Sequence, residues 1–234
     1  MEPLLSIHDL RVRYHDGTEA LHGVSLDSPA GQRVALIGPN GAGKTSLLLA
    51  IMRAVYFTGR IVIDGLEVVA GNEDACRGRC GMTFQNADDQ LFMPTLLEDV
   101  AFGPLNQGLA PDDARLRAVA AVGAVGLAGL ESRPAHHLSG GQKRAAALAT
   151  ILSMNVKLLL LDEPVSNLDF RSRHRVIDIL GERTEAMLLA THDLDLAGRL
   201  CQRAVVLDDG MIVADGPSGE ILSDRSLLTA HGLA

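Results

Sequence analysis

The sequence predicts an α/β fold: a mostly parallel sheet with flanking helices, an N-terminal antiparallel β subdomain, and a helical subdomain insert. Three observations carry this expectation. The stretch "KLLLLDEP" (157–164) is a continuous apolar run closed by acids, the pattern of a strand buried on both faces, as in a parallel sheet. A short strand at Arg33–Ile37 leads through a glycine-rich loop into a helix at Lys44–Arg53. Strand-like and helix-like stretches then alternate to the end of the 234 residues, except near 96–135, which reads as helix alone.

Taken in order, the first forty residues read as short strands at Leu4–Val12, Val24–Leu26 and Arg33–Ile37, with a turn at Asp16-Gly17 between the first two. "GRIVIDG" (59–65) and "GMTFQ" (81–85) are further strands. "LLEDVAFGPLNQGL" and "PDDARLRAVAAVGAVGL" read as helices, the second with Pro111 and two acids in its first turn. "LSGGQKRAAALATILSM", from Leu138, opens on two glycines and continues as a helix so apolar that it belongs in a core. Then follow "KLLLLDEP", a strand in "AMLLATHD", a helix in "LDLAGRL", a strand in "RAVVLDDG", and short helices at Gly219–Leu222 and Ser226–His231. The whole is read as one domain, 1–234, with the helical subdomain at about 96–153.

Hydrophobic residues make up 47%, enough for a sizeable core. A net charge of -8 and a pI near 5.4 argue against a nucleic-acid binder. No apolar run approaches the ~18 residues of a spanning helix, and "MEPLLSIHDL" lacks the basic region and apolar core of a signal peptide. A cytosolic or peripheral protein is expected. Cys76, Cys80 and Cys201 are an odd, sparse set, read as reduced thiols; "CRGRC" has no second pair to complete a metal site.

The chemistry concentrates at three places. "GPNGAGKTS" (38–46) matches G-x-x-x-x-G-K-S/T: Gly38, Pro39, Asn40, Gly41, Ala42, Gly43, Lys44, Thr45 and Ser46. Glycines turn backbone N–H groups toward phosphate oxygens, Lys44 reaches the terminal phosphates, and the Thr45 hydroxyl suits Mg²⁺. This gives the core its type, a P-loop NTPase core. Asp162 and Glu163 end the buried strand at the sheet edge where ligands sit. Asp162 suits Mg²⁺ coordination, and Glu163 is placed to polarise an attacking water. The third place, Ser139, Gly140, Gly141 and Gln142, is a helix mouth suited to an anion.

With LSGGQ in this order after the P-loop, the chain resembles the ATP-binding cassette (ABC) superfamily from about residue 4 to 222. The resemblance implies ATP and Mg²⁺ as cofactors. It implies that Tyr14 stacks on adenine, that Gln85 is the Q-loop glutamine and a metal ligand, that "SNLD" to Asp169 is the D-loop, and that His192 is the switch histidine. It also implies a head-to-tail dimer, homo- or heteromeric, in which Ser139, Gly140, Gly141 and Gln142 hold the ATP of a second ATPase subunit. Lys143 and Arg144 lie in the first turn of that helix, where cations are unfavourable. Two readings stand: relief by the neighbouring polyphosphate, or a solvated patch.

"FQNADDQLFMPTLLEDVAFGPLNQGL" (84–109) is similar to the ATPases of energy-coupling factor importers, which take up vitamins or cobalt and nickel ions. The apolar "QLF" tip, Gln90, Leu91 and Phe92, is read as meeting a helix of an integral membrane subunit, which places the chain on the cytoplasmic face of the cell membrane, peripherally. "LLTAHGL" and "YHDGTEALHGVSL" are similar to the cobalt/nickel branch; a biotin-type importer is the alternative, and a soluble cassette ATPase not tied to transport stands behind both. A P-loop kinase is disfavoured by LSGGQ. Departures from the family pattern are Ala87 in place of proline, expected to loosen the Q-loop, and Asn167 in place of glycine. "GNEDACRGRCG" is without a counterpart. His136-His137, without further ligands, is read as an ordinary loop pair.

Overall fold

The computed structural model describes residues 2–166 and 168–233; the Asn167 departure lies outside them. In chain order the elements are β1 (Leu5–Arg13), β2 (Glu19–Ser28), β3 (Arg33–Ile37), α1 (Lys44–Ile51), β4 (Phe57–Ile63), β5 (Leu66–Glu67), α2 (Glu73–Arg77) and β6 (Cys80–Thr83). Then come α3 (Leu96–Asn106), α4 (Pro111–Ala124), α5 (Gly140–Leu152), β7 (Leu158–Asp162), α6 (Phe170–Gly181), β8 (Ala186–Thr191), α7 (Leu194–Leu200), β9 (Arg203–Asp208), β10 (Met211–Pro217), α8 (Ser218–Ile221) and α9 (Arg225–Ala230). The chain divides into two compact units, one of residues 1–80, 157–162 and 184–234, the other of residues 81–156 and 163–183. The strand β6 crosses the boundary.

The first unit holds two sheets. One is antiparallel, in the order β2-β1-β4-β5, the N-terminal subdomain the sequence predicts. In the other, β3 lies between β8 and β9, parallel to both, β7 is parallel to β8, and β10 closes the edge antiparallel to β9. β7 and β8 are buried along their whole length, and β3 beyond Arg33. Strands with apolar residues on both faces demand covering from both sides, and α1 and α7 pack onto this sheet.

The second unit is helical. α3, α4 and α5 pack on one another, and α6 packs on α5. The residues from Ala145 to Ile151 of α5 are buried, as its composition requires. The Ser153 hydroxyl donates to the carbonyl of Val100 at 2.7 Å, tying the end of α5 to α3.

Several elements differ from the sequence reading. The strand read at 24–26 runs over ten residues, because Leu21, Val24 and Leu26 all point inward across a register shift that blurs the alternation. β10 was not read as a strand: as an edge strand, none of its residues is buried. α6 was not read either; its inward residues Val176, Ile177 and Leu180 follow a run rich in cations. "GNEDACRGRCG" contains α2, whose Glu73 pairs with Arg53 at 3.1 Å and whose Asn72 fixes the preceding turn through Glu67 O and Val69 N–H. The three thiols are unbridged and buried, and burial pushes Cys80 and Cys201 up to about 12.

Candidate functional site

In the first unit the loop after β3 forms a cradle. Gly38 must lack a side chain, since a Cβ there would collide with the carbonyl oxygen of Leu207. Gly43 has φ 103°, a left-handed value that favours glycine, and it seats the first turn of α1 against Ala20 O. The turn between β9 and β10 braces the loop from behind: Gly210 N–H donates to Ala42 O at 3.1 Å.

Lys44 is buried, only 7% exposed, and its Nζ donates to the carbonyls of Gly38 at 2.6 Å and Pro39 at 2.9 Å. The ammonium therefore lies folded over the loop. Thr45 Oγ1 donates to Asp162 Oδ2 at 2.8 Å, across 117 residues of sequence. Asp162 is 2% exposed, at the C-terminal end of β7. A hydroxyl and a buried carboxylate held together are hard oxygen donors, the set a small divalent cation such as Mg²⁺ takes. Tyr14 opens the β1–β2 hairpin, and its hydroxyl lies 3.0 Å from Ser46 Oγ. Tyr14 is 37% exposed as a residue. His192 follows β8 directly and is exposed, with Asp193 capping α7 behind it.

In the second unit, Glu163 is buried and has φ 48°, a left-handed conformation uncommon for such a residue. Its carbonyl accepts from both the N–H and the hydroxyl of Ser166. Gln85 is exposed, and its own carbonyl accepts from Arg144 at 2.6 Å. Gly140 and Gly141 open α5, and no heavy atom would obstruct a Cβ at Gly140. Ser139 and Gln142 cap this helix reciprocally: Gln142 N–H donates to Ser139 Oγ and Ser139 N–H to Gln142 Oε1. The S-x-x-Q spacing signals such a capping box, which the sequence reading of this helix mouth left out.

Three expectations are corrected here. Lys143 and Arg144 do not form a solvated patch. Lys143 Nζ pairs with Asp88 at 2.6 Å, and Arg144 is buried on backbone carbonyls. The "QLF" tip is divided: Leu91 folds inward at 7% exposed, and Gln90 Nε2 binds Ala147 O and Thr150 Oγ1 on α5. Phe92 alone stays outside, 64% exposed and edge-on to Phe102 at 5.1 Å. The segment after Gln85 closes into a 3-10 turn, with Asn86 Oδ1 accepting from Asp88 N–H and Ala87 buried, so alanine there does not leave the loop without structure.

The sequence profile described as ABC transporter matches residues 21–166, more than half of the chain. The chain belongs to the ABC transporter family. This ABC ATPase is 46% identical to an ABC transporter ATP-binding protein of Streptomyces avermitilis over 99% of its own length and 88% of that protein. It is 40% identical to the cobalt import ATP-binding protein CbiO of Rhodobacter capsulatus, covering 100% of this chain and 85% of that one. The solved structure of cbiO1 from Clostridium perfringens, described as part of the transporter complex cbiONQ, superposes with a TM-score of 0.82 at 30% identity, covering 100% of this ABC ATPase and 96% of cbiO1. The P-loop NTPase core, antiparallel sheet and helices are those of an ABC cassette. The sequence reading had Ser166 only as the first residue of "SNLD" and missed its tie to Arg144, whose partners lie 22 to 60 residues away and leave no local signal.

Proposed function

We propose that this ABC ATPase is the motor subunit of an energy-coupling factor importer for cobalt or nickel ions, working as an ATP-sandwiching dimer on the cytoplasmic face of the membrane. The single observation behind the transport reading is the stretch 84–109. It resembles that of energy-coupling factor ATPases and leaves Phe92 exposed against Phe102, an aromatic contact for a helix of an integral membrane subunit. The cobalt or nickel cargo draws support from the likeness to CbiO and cbiO1.

In this reading the N–H groups of residues 38–46 receive the phosphates, and the Lys44 ammonium exchanges its carbonyl partners for phosphate oxygens. Thr45 and Asp162 would hold Mg²⁺, with Gln85 as a further ligand, and the bound ion would supply positive charge to offset that of the phosphates. Tyr14 stacks on adenine. Glu163 takes a proton from water as the water oxygen bonds to the γ-phosphorus and the bond to the ADP oxygen breaks, leaving ADP and phosphate. His192 contacts the transferred phosphate. Ser139, Gly140, Gly141 and Gln142 serve the ATP bound by a second ATPase subunit through the positive end of α5.

The test is reconstitution with the integral membrane proteins that co-purify with this chain. ATP-dependent uptake of labelled Co²⁺ or Ni²⁺ into proteoliposomes is the expected result. Uptake of biotin without uptake of metal would replace the cargo, and failure to co-purify with any membrane protein would overturn the transport reading.

A further inference from the structure

One guanidinium joins two functional segments of the second unit. Arg144, 9% exposed, sits in the first turn of α5. Its Nη1 donates to the carbonyls of Phe84 at 3.1 Å and Gln85 at 2.6 Å. Its Nη2 donates to Ser166 Oγ at 3.0 Å. The Ser166 hydroxyl in turn donates to Glu163 O at 3.0 Å, and Ser166 N–H donates to the same oxygen at 3.2 Å. An unbroken chain of hydrogen bonds thus runs from the backbone of Gln85 to the backbone of Glu163.

Two facts make this more than packing. A cation in the first turn of a helix opposes the helix dipole, and a buried charge is costly unless its donors are met. Arginine is unfavourable here on both counts, and what offsets this is a rigid planar fork that serves three acceptors at fixed angles. Glu163 also holds φ 48°, a conformation that side-chain-bearing residues keep only where their surroundings impose it. The doubly bound carbonyl of Glu163 is where they do so.

We propose that Arg144 is a positioning residue for ATP hydrolysis: it fixes the backbone of Gln85 and, through Ser166, that of Glu163, so that both side chains start from one relative placement. The inference rests on the roles given above to Gln85 and Glu163. It assigns Arg144 no contact with nucleotide.

The experiment compares Arg144→Gln, Arg144→Lys, Ser166→Ala and Glu163→Gln in the full-length chain, assembled with its membrane subunits, by steady-state ATPase kinetics. A misplacement of about 1 Å costs on the order of 100-fold. Arg144→Gln should therefore lower kcat about 10- to 100-fold while KM for ATP moves less than about threefold. Ser166→Ala should lower kcat in the same sense by about 3- to 10-fold. Arg144→Lys should restore only part of the loss, since an ammonium lacks the fork. In a Glu163→Gln background, adding Ser166→Ala should slow the residual rate no further, which a merely structural role would not produce. If Arg144→Gln does not fold, Ser166→Ala decides alone. A kcat within about twofold of wild type in folded variants would overturn the proposal while leaving Glu163 in place, as would further slowing in the double variant. Rapid hydrolysis by Glu163→Gln itself would overturn both this inference and the reading beneath it.

Discussion

The phosphate cradle of the first unit and the Q-loop and signature segments of the second hold their functional groups by different means. In the cradle, Lys44 is held by carbonyls five and six residues away, Gly38 and Gly43 by the backbone packed against them, and Asp162 by the end of a buried strand. In the second unit the ties are side chains reaching across 55 to 60 residues: Lys143 to Asp88, Arg144 to Phe84 and Gln85, and Gln90 to Ala147 and Thr150. The first arrangement rests on one loop and the strand end beside it. The second ties α5 to the Q-loop, so that a displacement of one is carried to the other.

The sharpest way to test the contrast is to damage each side and ask what fails. Lys44→Ala removes the charge that, in the proposed function, meets the phosphates, and nothing from the second unit. Charge-assisted hydrogen bonds of this sort are worth about 1.5–3 kcal/mol, so ATP affinity should fall roughly 10- to 100-fold. Titration calorimetry measures it; unchanged affinity would mean that the phosphates bind elsewhere.

A smaller effect is expected where a long-range tie is cut. Gln90→Ala loses its bonds to Ala147 O, at 2.9 Å, and Thr150 Oγ1, at 2.6 Å, and the one it accepts from Phe84 N–H. The cost should be about 1–3 kcal/mol, seen as a lower denaturation midpoint, with ATP affinity kept because the cradle is untouched. Loss of affinity of the size expected for Lys44→Ala would erase the distinction between the two regions.

The smallest effect concerns pH. Asp99 Oδ1 accepts the N–H groups of Phe92 and Met93, both at 2.9 Å, while its buried Oδ2 has no partner among the described residues. Burial, the main cause, raises the Asp99 pKa above its ordinary 3.8, against the lowering effect of those two N–H groups and with a small push from Glu98. The folded chain therefore keeps this proton at pH values where the unfolded chain has released it. Stability should fall as pH rises from the ordinary value through the raised one and then level off. Asp99→Asn, which can still accept both N–H groups, should flatten that decline. Thermal midpoints of the two proteins between about pH 4 and about pH 7 report the difference; parallel curves would contradict it.

What the sequence disclosed follows the same division. The buried runs of β3, β7 and β8 and the glycine pattern of 38–46 are local, and each was legible from its neighbours. The meeting of Thr45 with Asp162 was legible too, because a strand end in a parallel sheet has a definite place. α6 and β10 were not: the first hides its inward face behind Arg171, Arg173, His174 and Arg175, and the second buries no residue fully. Arg144 was misread because one residue's neighbours cannot say which carbonyls, sixty positions away, it will meet.

The resting posture of Lys44 has a consequence for the thermodynamics of nucleotide capture. A free lysine side chain loses about 2 kcal/mol of rotamer entropy when it is pinned. Here Nζ is already pinned on Gly38 O and Pro39 O, so that loss falls at folding rather than at each encounter with ATP. In the proposed function, binding exchanges one set of acceptors for another, so its enthalpy from this residue should be modest and its entropic penalty small. The cradle is a spring set before its load arrives.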